Sequence, residues 1–225
     1  MKARIAILAA LPREIEPLIS NWPVRSASRR QGTLIAECDQ AIAVCAGMGA
    51  ERVEQALLSA ESRGPLSEVL SVGYAGALCE GILRNTIHWP ATVVDAATEQ
   101  RYECIGGSGT LLTISRVLGR EDKAQMASRW TADLVDMEAA RVALLAQTRG
   151  LPFRALRVVS DEVDDMLPDL NRFVDDHSGF RKAAFAGYLV VHPSMIPATI
   201  RLGRTSSFAS RVLAQELRKV LERAE

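Results

Sequence analysis

Two acidic residues stand where apolar runs end in the segment 133–165, which reads DLVDMEAARVALLAQTRGLPFRALRVVSDEVDD. Glu138 follows a short apolar lead and opens a helix-like stretch that ends at Gly150, and Asp161 follows a second apolar run at 153–159. Apolar strands that flank a helix predict a βαβ unit. Because ligand chemistry in such units gathers beyond the carboxyl ends of the strands, the pattern marks Glu138 and Asp161 as candidate site residues.

The two carboxyl groups are expected to differ in chemistry. Glu138 falls in the predicted first turn of a helix, where unpaired N–H groups and the helix dipole favour negative charge, so we expect an ionised hydrogen-bond acceptor. Asp161 ends a buried strand beside Glu162, Asp164 and Asp165, and burial together with like charges favours a protonated acid that can donate. Spacing alone leaves a structural alternative, in which Glu138 is a first-turn acid and Asp161 is a helix cap.

The segments that precede these acids predict further parts of an α/β sheet. Residues 4–10 form a buried first strand in this interpretation, and Pro12 opens a helix that carries Glu14 near its start. Glu14 is either a site residue or a complement to the helix dipole. Two apolar runs, at 32–38 and 41–46, have the spacing of a β-hairpin.

Small-residue turns follow two of the predicted strands. The first turn, at 47–50, precedes a helix, and the second, at 73–77, follows an apolar run. Glycines at strand ends let the backbone approach a ligand, so the two turns predict two walls of one pocket, although ordinary βα connections also use them. A third glycine cluster, at 106–109, is predicted to turn a hairpin between β-like runs at 86–96 and 110–115.

Beyond residue 165 the pattern becomes mostly helical, with an apolar run at 180–191 and an amphipathic helix at 206–223. This apolar surface is explained either by core or subunit packing, or by contact with a lipid-like ligand or a membrane face. Four basic residues flank it: Arg181, Lys182, Arg201 and Arg204. The apolar runs are too short to span a bilayer.

Composition excludes several classes of protein. With 225 residues, 48% of them hydrophobic, the chain suits a single soluble α/β domain. Lys and Arg total 27, as do Asp and Glu, so no basic excess points to nucleic acid. The apolar run at the amino terminus is too short for a signal peptide, which predicts a cytoplasmic protein. Four cysteines and three histidines form no metal-ligand pattern.

Four stretches of the chain resemble a known enzyme family. They are AALPREI with Glu14, AGMGAERVEQA, SVGYAGAL, and VDMEAA followed by RVVSDEVDD, and they span roughly residues 3–165. These stretches resemble the purine nucleoside phosphorylase/nucleosidase superfamily, and within it the methylthioadenosine/S-adenosylhomocysteine nucleosidases. The tail, with LPDL and apolar helices punctuated by arginine, resembles the hopanoid-associated phosphorylase branch, whose members are thought to release adenine from adenosylhopane.

The resemblance implies a three-layer α/β/α fold with a central mixed, twisted sheet. One domain would cover residues 1–225, with 166–225 as a mostly helical extension. The resemblance also implies a homodimer that needs neither a metal nor an organic cofactor. The implied reaction is hydrolysis of the bond between ribose and a purine, with adenine as the expected base, and it builds positive charge on the sugar and negative charge on the base.

The resemblance also assigns roles to individual residues. Asp161 would protonate or hydrogen-bond purine N7, Glu138 would hold the ribose hydroxyls and stabilise the cationic sugar, and Glu14 would deprotonate an attacking water. The implied substrate-binding residues are Met48, Gly49, Gly73, Tyr74, Met137 and Ser160.

Three departures from the family pattern bear on the pocket. Tyr74 stands where the nucleosidases usually have serine, and the stretch between Cys79 and Asp136 is shorter than theirs. The aromatic residue that usually stacks on adenine has no counterpart, because Val117 and Leu118 occupy its region. These differences predict an open 5′ side that suits a bulky, lipid-like substituent.

Two alternatives to hydrolysis remain open. A phosphorylase needs cationic groups near C1′ of the sugar to hold phosphate, and SVGYAGA offers no Arg or Ser where such enzymes tend to place them. Arg4, Arg13 and Arg84 are cations without a predicted place. A non-catalytic nucleoside- or lipid-binding module would keep the fold with a vestigial site, although the three retained acids argue against it.

Overall fold

The structure, a computed structural model, describes residues 2–28, 33–47, 50–165 and 196–223. In chain order its strands are β1 (Arg4–Ala9), β2 (Val24–Ser28), β3 (Thr33–Glu37), β4 (Ala41–Cys45), β5 (Leu66–Ala77), β6 (Ile87–His88), β7 (Thr92–Asp95), β8 (Arg101–Glu103), β9 (Thr110–Thr113), β10 (Leu134–Asp136) and β11 (Phe153–Asp161). Its helices are α1 (Pro12–Ile19), α2 (Ala50–Glu61), α3 (Arg120–Trp130), α4 (Ala139–Thr148) and α5 (Ile196–Glu222).

The strands form one mixed sheet in the order β2-β3-β4-β1-β5-β10-β9-β7-β8, with β11 and β6 branching from β5. Strands β4, β1, β5 and β11 run parallel to one another, as do β10, β9 and β7. The two parallel groups meet where β10 pairs antiparallel with the end of β5. The sheet is therefore built from two opposed blocks, and their contact lies next to the candidate site.

Helices cover both faces of the sheet because its strands are apolar on both sides. In β1, Ala6 and Leu8 pack in a core cluster with residues of α2 and α4, whereas Ile5, Ile7 and Ala9 pack in a second cluster with residues of α1 and α5. This alternation confirms the predicted three-layer α/β/α class with a mixed sheet and a C-terminal helix. Predictions for 166–195 lie outside the described residues.

Strands β10 and β11 do not form the predicted βαβ unit. Strand β10 runs antiparallel to β5 and β11 runs parallel to it, so the two strands flanking α4 point in opposite directions. The pattern of apolar residues indicates that a segment is a buried strand, but the direction of the strand is set by its partner in the sheet. Val135 and Asp161 both pair with Gly76, so the carboxyl ends of β10 and β11 still meet.

The glycine cluster at 106–109 does not turn a hairpin. Strand β7 pairs antiparallel with β8, and β9 returns parallel to β7. Gly107 has a φ of 89°, and a Cβ on it would lie 2.0 Å from the carbonyl oxygen of Trp89. The glycine is therefore required for close backbone packing against Trp89, whose carbonyl also accepts the Ser108 N–H at 2.8 Å.

None of the helices within the described ranges is both long enough and apolar enough to cross a bilayer.

Candidate active site

Strand β5 continues through residues 73–77, which were predicted to form a turn. Two of its glycines leave room for the carboxylates of Glu14 and Asp161. A Cβ on Gly73 would lie 3.0 Å from Glu14 Oε1, and a Cβ on Gly76 would lie 2.8 Å from Asp161 Oδ2. The turn prediction was wrong because residues as far as Ala77 pair with β10 or β11. A side chain at either glycine would have to displace a carboxylate, so the glycines mark the close approach of functional groups to an extended backbone.

Three acids from distant parts of the chain line one cavity of about 210 Å³. Glu14 comes from the first turn of α1, Glu138 precedes the first residue of α4, and Asp161 ends β11. The other predicted site residues that line this cavity are Tyr74, Met137 and Ser160.

A smaller recess adjoins this cavity and shares Glu14 and Glu138 with it. Gly73, another predicted site residue, lines the recess. The predicted residues Met48 and Gly49 lie outside the described part of the chain.

Glu14 is held by backbone donors rather than by a cation. Its Oε2 accepts the Leu11 N–H at 2.7 Å, and its Oε1 accepts the Tyr74 N–H at 3.4 Å. Burial raises the pKa of Glu14 above its ordinary value, although these N–H groups and the nearby charge of Arg157 act to lower it. A fixed carboxylate with a raised pKa is suited to accept a proton from water.

Glu138 does not meet the expectation of a permanently ionised acid. Burial raises its pKa to about 8, and the negative charges of Asp136 and Glu14 add to this effect. The helix does not compensate, because Glu138 is the residue before α4 and its side chain makes no capping hydrogen bond. Asp136 takes the capping position instead, and its Oδ2 accepts the Ala139 N–H at 2.9 Å.

The sequence suggested that Asp161 lies among unpaired like charges, but the structure does not show this. Its Oδ2 accepts a hydrogen bond from Lys123 Nζ at 2.6 Å, and its Oδ1 accepts one from the Ser160 hydroxyl at 2.5 Å. The register of β11 is irregular between Val159 and Asp161, which inserts Ser160 as an extra residue beside the carboxylate. The acid is therefore one half of a buried ion pair.

The acids that follow Asp161 are engaged with other groups. Asp165 forms an ion pair with Arg84 at 2.6 Å, and Asp164 forms one with Arg120 at 2.8 Å. Glu162 accepts the backbone N–H of Arg84 at 3.1 Å. Each neighbouring negative charge thus has a positive or polar partner of its own.

A second buried ion pair underlies the acids. Arg157 donates from Nη2 and Nε to Asp136 Oδ2 at 2.6 and 3.1 Å, and also to the carbonyl and hydroxyl oxygens of Ser71 at 2.8 Å each. Asp136 Oδ1 accepts the Thr113 hydroxyl at 2.6 Å. These bonds join β5, β9, β10 and β11 immediately below Glu138, so they fix the backbone from which that acid projects.

The sequence analysis did not single out Arg157 or Lys123, but each is a charged residue at an apolar position of its sequence pattern. Arg157 interrupts the apolar run of a buried strand, and an unpaired charge there would be costly. Lys123 shares one stripe of α3 with Met126, Ala127 and Trp130, at the i, i+3, i+4 and i+7 spacing of a buried helix face. A charged residue at an apolar position of a pattern is therefore a sign that it has a buried partner.

The edge of the cavity is formed partly by α5. The Tyr74 hydroxyl forms a hydrogen bond with Ser210 Oγ at 2.7 Å. It also lies 3.3 Å from the carbonyl oxygen of Ser206, a residue that itself lines the cavity. The guanidinium of Arg13 lies 5.4 Å from the centre of the Tyr74 ring. Tyr74 thus connects the site to the C-terminal helix.

The three arginines without a predicted place divide into two groups. Arg4 pairs with Glu37 at 3.0 Å and Arg84 pairs with Asp165, and neither of them lines the cavity. Arg13 does line it. Val117 and Leu118 also line the cavity.

Comparisons with known proteins establish the fold. Residues 106–187 match the family described as Phosphorylase superfamily, and a search of curated proteins gave no match. Similar solved structures include a mutant Helicobacter pylori MTAN with 5′-methylthioadenosine in the active site, at 18% identity and a TM-score of 0.72, covering 99% of this chain and 100% of that one.

Two further structures extend the likeness. Futalosine hydrolase of Helicobacter pylori is 17% identical with a TM-score of 0.70, covering 98% of each chain. The 5′-methylthioadenosine nucleosidase of Arabidopsis thaliana is 15% identical with a TM-score of 0.71, covering 99% of this chain and 96% of that one. At these identities the comparisons show that the polypeptide fold is shared over nearly the whole of each chain.

Proposed function

We propose that this chain is an enzyme that cleaves the N-glycosidic bond of a purine nucleoside by hydrolysis. The observation that carries the proposal is the convergence of Glu14, Glu138 and Asp161 on one cavity. The match to the phosphorylase superfamily and the likeness to nucleosidase structures support it.

The base would lie against Asp161 and Ser160. As the C1′–N9 bond breaks, negative charge develops on the purine, and a hydrogen bond or proton at N7 stabilises it. The Lys123 and Ser160 donors hold the Asp161 carboxylate in one orientation, which supports its use at a single ring nitrogen. Adenine is the base we propose.

The sugar would lie against Glu138 and Met137. With its pKa near 8, Glu138 is largely protonated in the empty site at neutral pH. Ribose hydroxyls can donate hydrogen bonds to the Glu138 carboxylate, and the positive charge that develops on the sugar attracts this anion. The substrate and the transition state therefore both favour the ionised form of Glu138. Glu138 would thus become an anion as the substrate binds and reacts, and not before.

The attacking water would be deprotonated by Glu14. Two backbone N–H groups fix the Glu14 carboxylate, and burial raises its pKa, which strengthens it as a base. Gly73 leaves room for this acid, because a Cβ there would lie 3.0 Å from Glu14 Oε1. The water proton passes to Glu14 while the water oxygen bonds to C1′.

Phosphorolysis is the alternative reaction, and the placement of the cations weighs against it. Arg157 is committed to Asp136 and Ser71, and Arg4 is paired outside the cavity. Of the cations that line the cavity, Lys123 pairs with Asp161 and Arg116 pairs with Asp122, so Arg13 is the candidate among them to meet a phosphate. A non-catalytic nucleoside- or lipid-binding module is the second alternative.

The 5′ substituent we propose is hydrophobic, as in adenosylhopane. The sequence resemblance of the tail to the hopanoid-associated branch supports this choice, together with Val117 and Leu118 in place of a stacking aromatic. Residues 166–195, which carry much of that resemblance, lie outside the described ranges.

The decisive experiment measures base release from a panel of purine nucleosides, with and without phosphate, and includes a hydrophobic 5′-substituted adenosine. We expect adenine release that does not depend on phosphate and is lost in Asp161→Asn. Formation of ribose 1-phosphate would replace hydrolysis by phosphorolysis, and binding without turnover across the panel would indicate the non-catalytic module. Equal rates for wild type and Asp161→Asn would remove Asp161 from the mechanism.

We propose further that the protein is a cytoplasmic homodimer, as its family resemblance suggests for the assembly, and that its apolar C-terminal tail with flanking basic residues contacts lipid. Sedimentation equilibrium tests the assembly, and co-sedimentation with anionic lipid vesicles tests the lipid contact. A monomer at all concentrations, or no pelleting with vesicles, would contradict the respective proposal.

A further inference from the structure

Lys123 is a buried cation at the base side of the candidate site. Its side chain is 1% exposed, although it lies on a helix whose other charged side chains reach solvent. Nζ donates to Asp161 Oδ2 at 2.6 Å and to the carbonyl oxygen of Glu162 at 2.7 Å, and the residue lines the 210 Å³ cavity. An ammonium group has three protons to donate, and these two bonds use two of them.

The burial of this ammonium is costly, and stability alone does not explain it. Ion pairs taken out of water often stabilise a fold no better than apolar residues of the same size. Met126, Ala127 and Trp130 continue the same stripe of α3 with apolar packing. A lysine in that stripe, directed at an acid in a cavity, is therefore better explained by the chemistry of the cavity.

The pairing also raises the question of where a proton for the purine originates. Lys123 Nζ donates to one oxygen of Asp161 and the Ser160 hydroxyl donates to the other, so both carboxyl oxygens act as acceptors. Arg13 and Arg116 also line the cavity, but a guanidinium does not give up its proton in proteins. Glu14 and Glu138 can carry a proton, but no hydrogen bond described in the structure connects either of them to Asp161.

We propose that Lys123 supplies, through Asp161, the proton that the leaving purine takes up at N7. The inference rests on the proposed nucleosidase function. As the C1′–N9 bond breaks and its electron pair moves onto the purine, Asp161 transfers a proton to N7 and receives one from Lys123 Nζ. Water adds to C1′ and loses its proton to Glu14. After the base leaves, Glu14 releases that proton to solvent and the neutral lysine takes one up from solvent. The sum is nucleoside plus water giving ribose and neutral purine.

Two substrates separate this role from a structural one. The first is the purine nucleoside that the wild type cleaves fastest in the base-release panel. The second is p-nitrophenyl β-D-ribofuranoside, whose phenolate leaves without needing a proton. For each enzyme the measured quantity is the ratio of kcat/KM for the purine nucleoside to kcat/KM for the aryl riboside.

Two variants test the proton donor. Lys123→Met removes the ammonium, and Lys123→Arg keeps a positive charge that does not release a proton. We expect both to lower the ratio by about 10²- to 10⁴-fold, the usual contribution of general acid catalysis, while hydrolysis of the aryl riboside continues. A wild-type ratio in either folded variant, or an equal loss on both substrates, would overturn the proposal.

A double variant keeps the test valid if the loss of one charge impairs folding. Lys123→Met with Asp161→Asn removes both charges together, and thermal unfolding shows which variants are folded. Because Lys123 is proposed to act through Asp161, adding Lys123→Met to Asp161→Asn should cause no further loss on the purine nucleoside. An additional loss of the size seen in the wild-type background would contradict that coupling. If the wild type cleaves neither substrate, the proposed function itself has failed.

Discussion

Replacing Glu138 by Gln is expected to stabilise the empty enzyme in alkaline solution. The pKa of Glu138 rises from an ordinary 4.5 to about 8 on folding, so between these pH values the folded chain holds a proton that the unfolded chain has lost. Stability therefore falls as pH rises through this interval, because the unfolded state binds fewer protons. The contribution is complete below about pH 4.5 and is lost above about pH 8.

The size of the effect follows from the same numbers. Each pH unit in the interval corresponds to about 1.4 kcal/mol, which sets an upper limit of about 5 kcal/mol across the whole interval. A neutral amide at position 138 has no proton to lose, so the difference between Glu138→Gln and wild type should grow with pH. For a domain of this size, each 1 kcal/mol moves the Tm by about 2 to 4 °C.

Urea unfolding of wild type and Glu138→Gln at intervals from pH 5 to pH 9 measures this difference. The two curves should lie closest at pH 5 and diverge most above pH 8, with the amide variant the more stable. Glu121→Gln, at an exposed position of α3, is the matched control and should follow wild type at every pH. Parallel curves for Glu138→Gln and wild type would refute the assignment of a buried, charge-repelled carboxyl group at the site.

Three further substitutions test the geometry. In Gly76→Ala the new Cβ would lie 2.8 Å from Asp161 Oδ2, so base release should fall by about tenfold or more, as expected when a catalytic group is displaced, with the far-UV circular dichroism unchanged. Asp136→Asn leaves Arg157 as a buried charge without its anion and should lower the free energy of unfolding by about 3 to 5 kcal/mol in urea titration. Tyr74→Phe removes the hydroxyl hydrogen bond to α5 and should cost about 1 kcal/mol in the same measurement.

Two control substitutions make these outcomes specific. Gly119 has open space where its Cβ would stand, so Gly119→Ala should leave base release unchanged. Asp122 pairs with Arg116 at the surface, so Asp122→Asn should have little effect on unfolding. Equal activity losses in both glycine variants, or equal stability losses in both aspartate variants, would show that position in the site does not determine the effect.

Periodicity was enough to mark the buried strands, whereas the three-layer arrangement was implied by the family resemblance. The apolar runs around Ala6 and Val158 mark strands buried on both faces. Burial can be predicted from the local sequence pattern, because each side chain has its own preference for water or for the core. The position of Glu138 and Asp161 next to strand ends follows from the same local information.

Strand direction and the partners of the charged groups could not be obtained in this way. The pattern around Val135 is the same whether β10 runs parallel or antiparallel to β5, and the choice depends on a residue pairing nearly 60 positions away in the chain. The expectation that unpaired like charges surround Asp161 was wrong for a related reason. The charges beside it in sequence are paired elsewhere, while Lys123 reaches it from α3.

What the chain determines by itself is thus which residues are buried, which segments are strands or helices, and which acids stand at strand ends. Tertiary structure decides the ionisation of those acids, since a pKa depends on charges and solvent within a few ångströms in space and not along the chain. Glu138 lies near Glu14 and Asp136 and tends to keep its proton, whereas Asp161 faces a lysine. The chemistry proposed for the site depends on that difference.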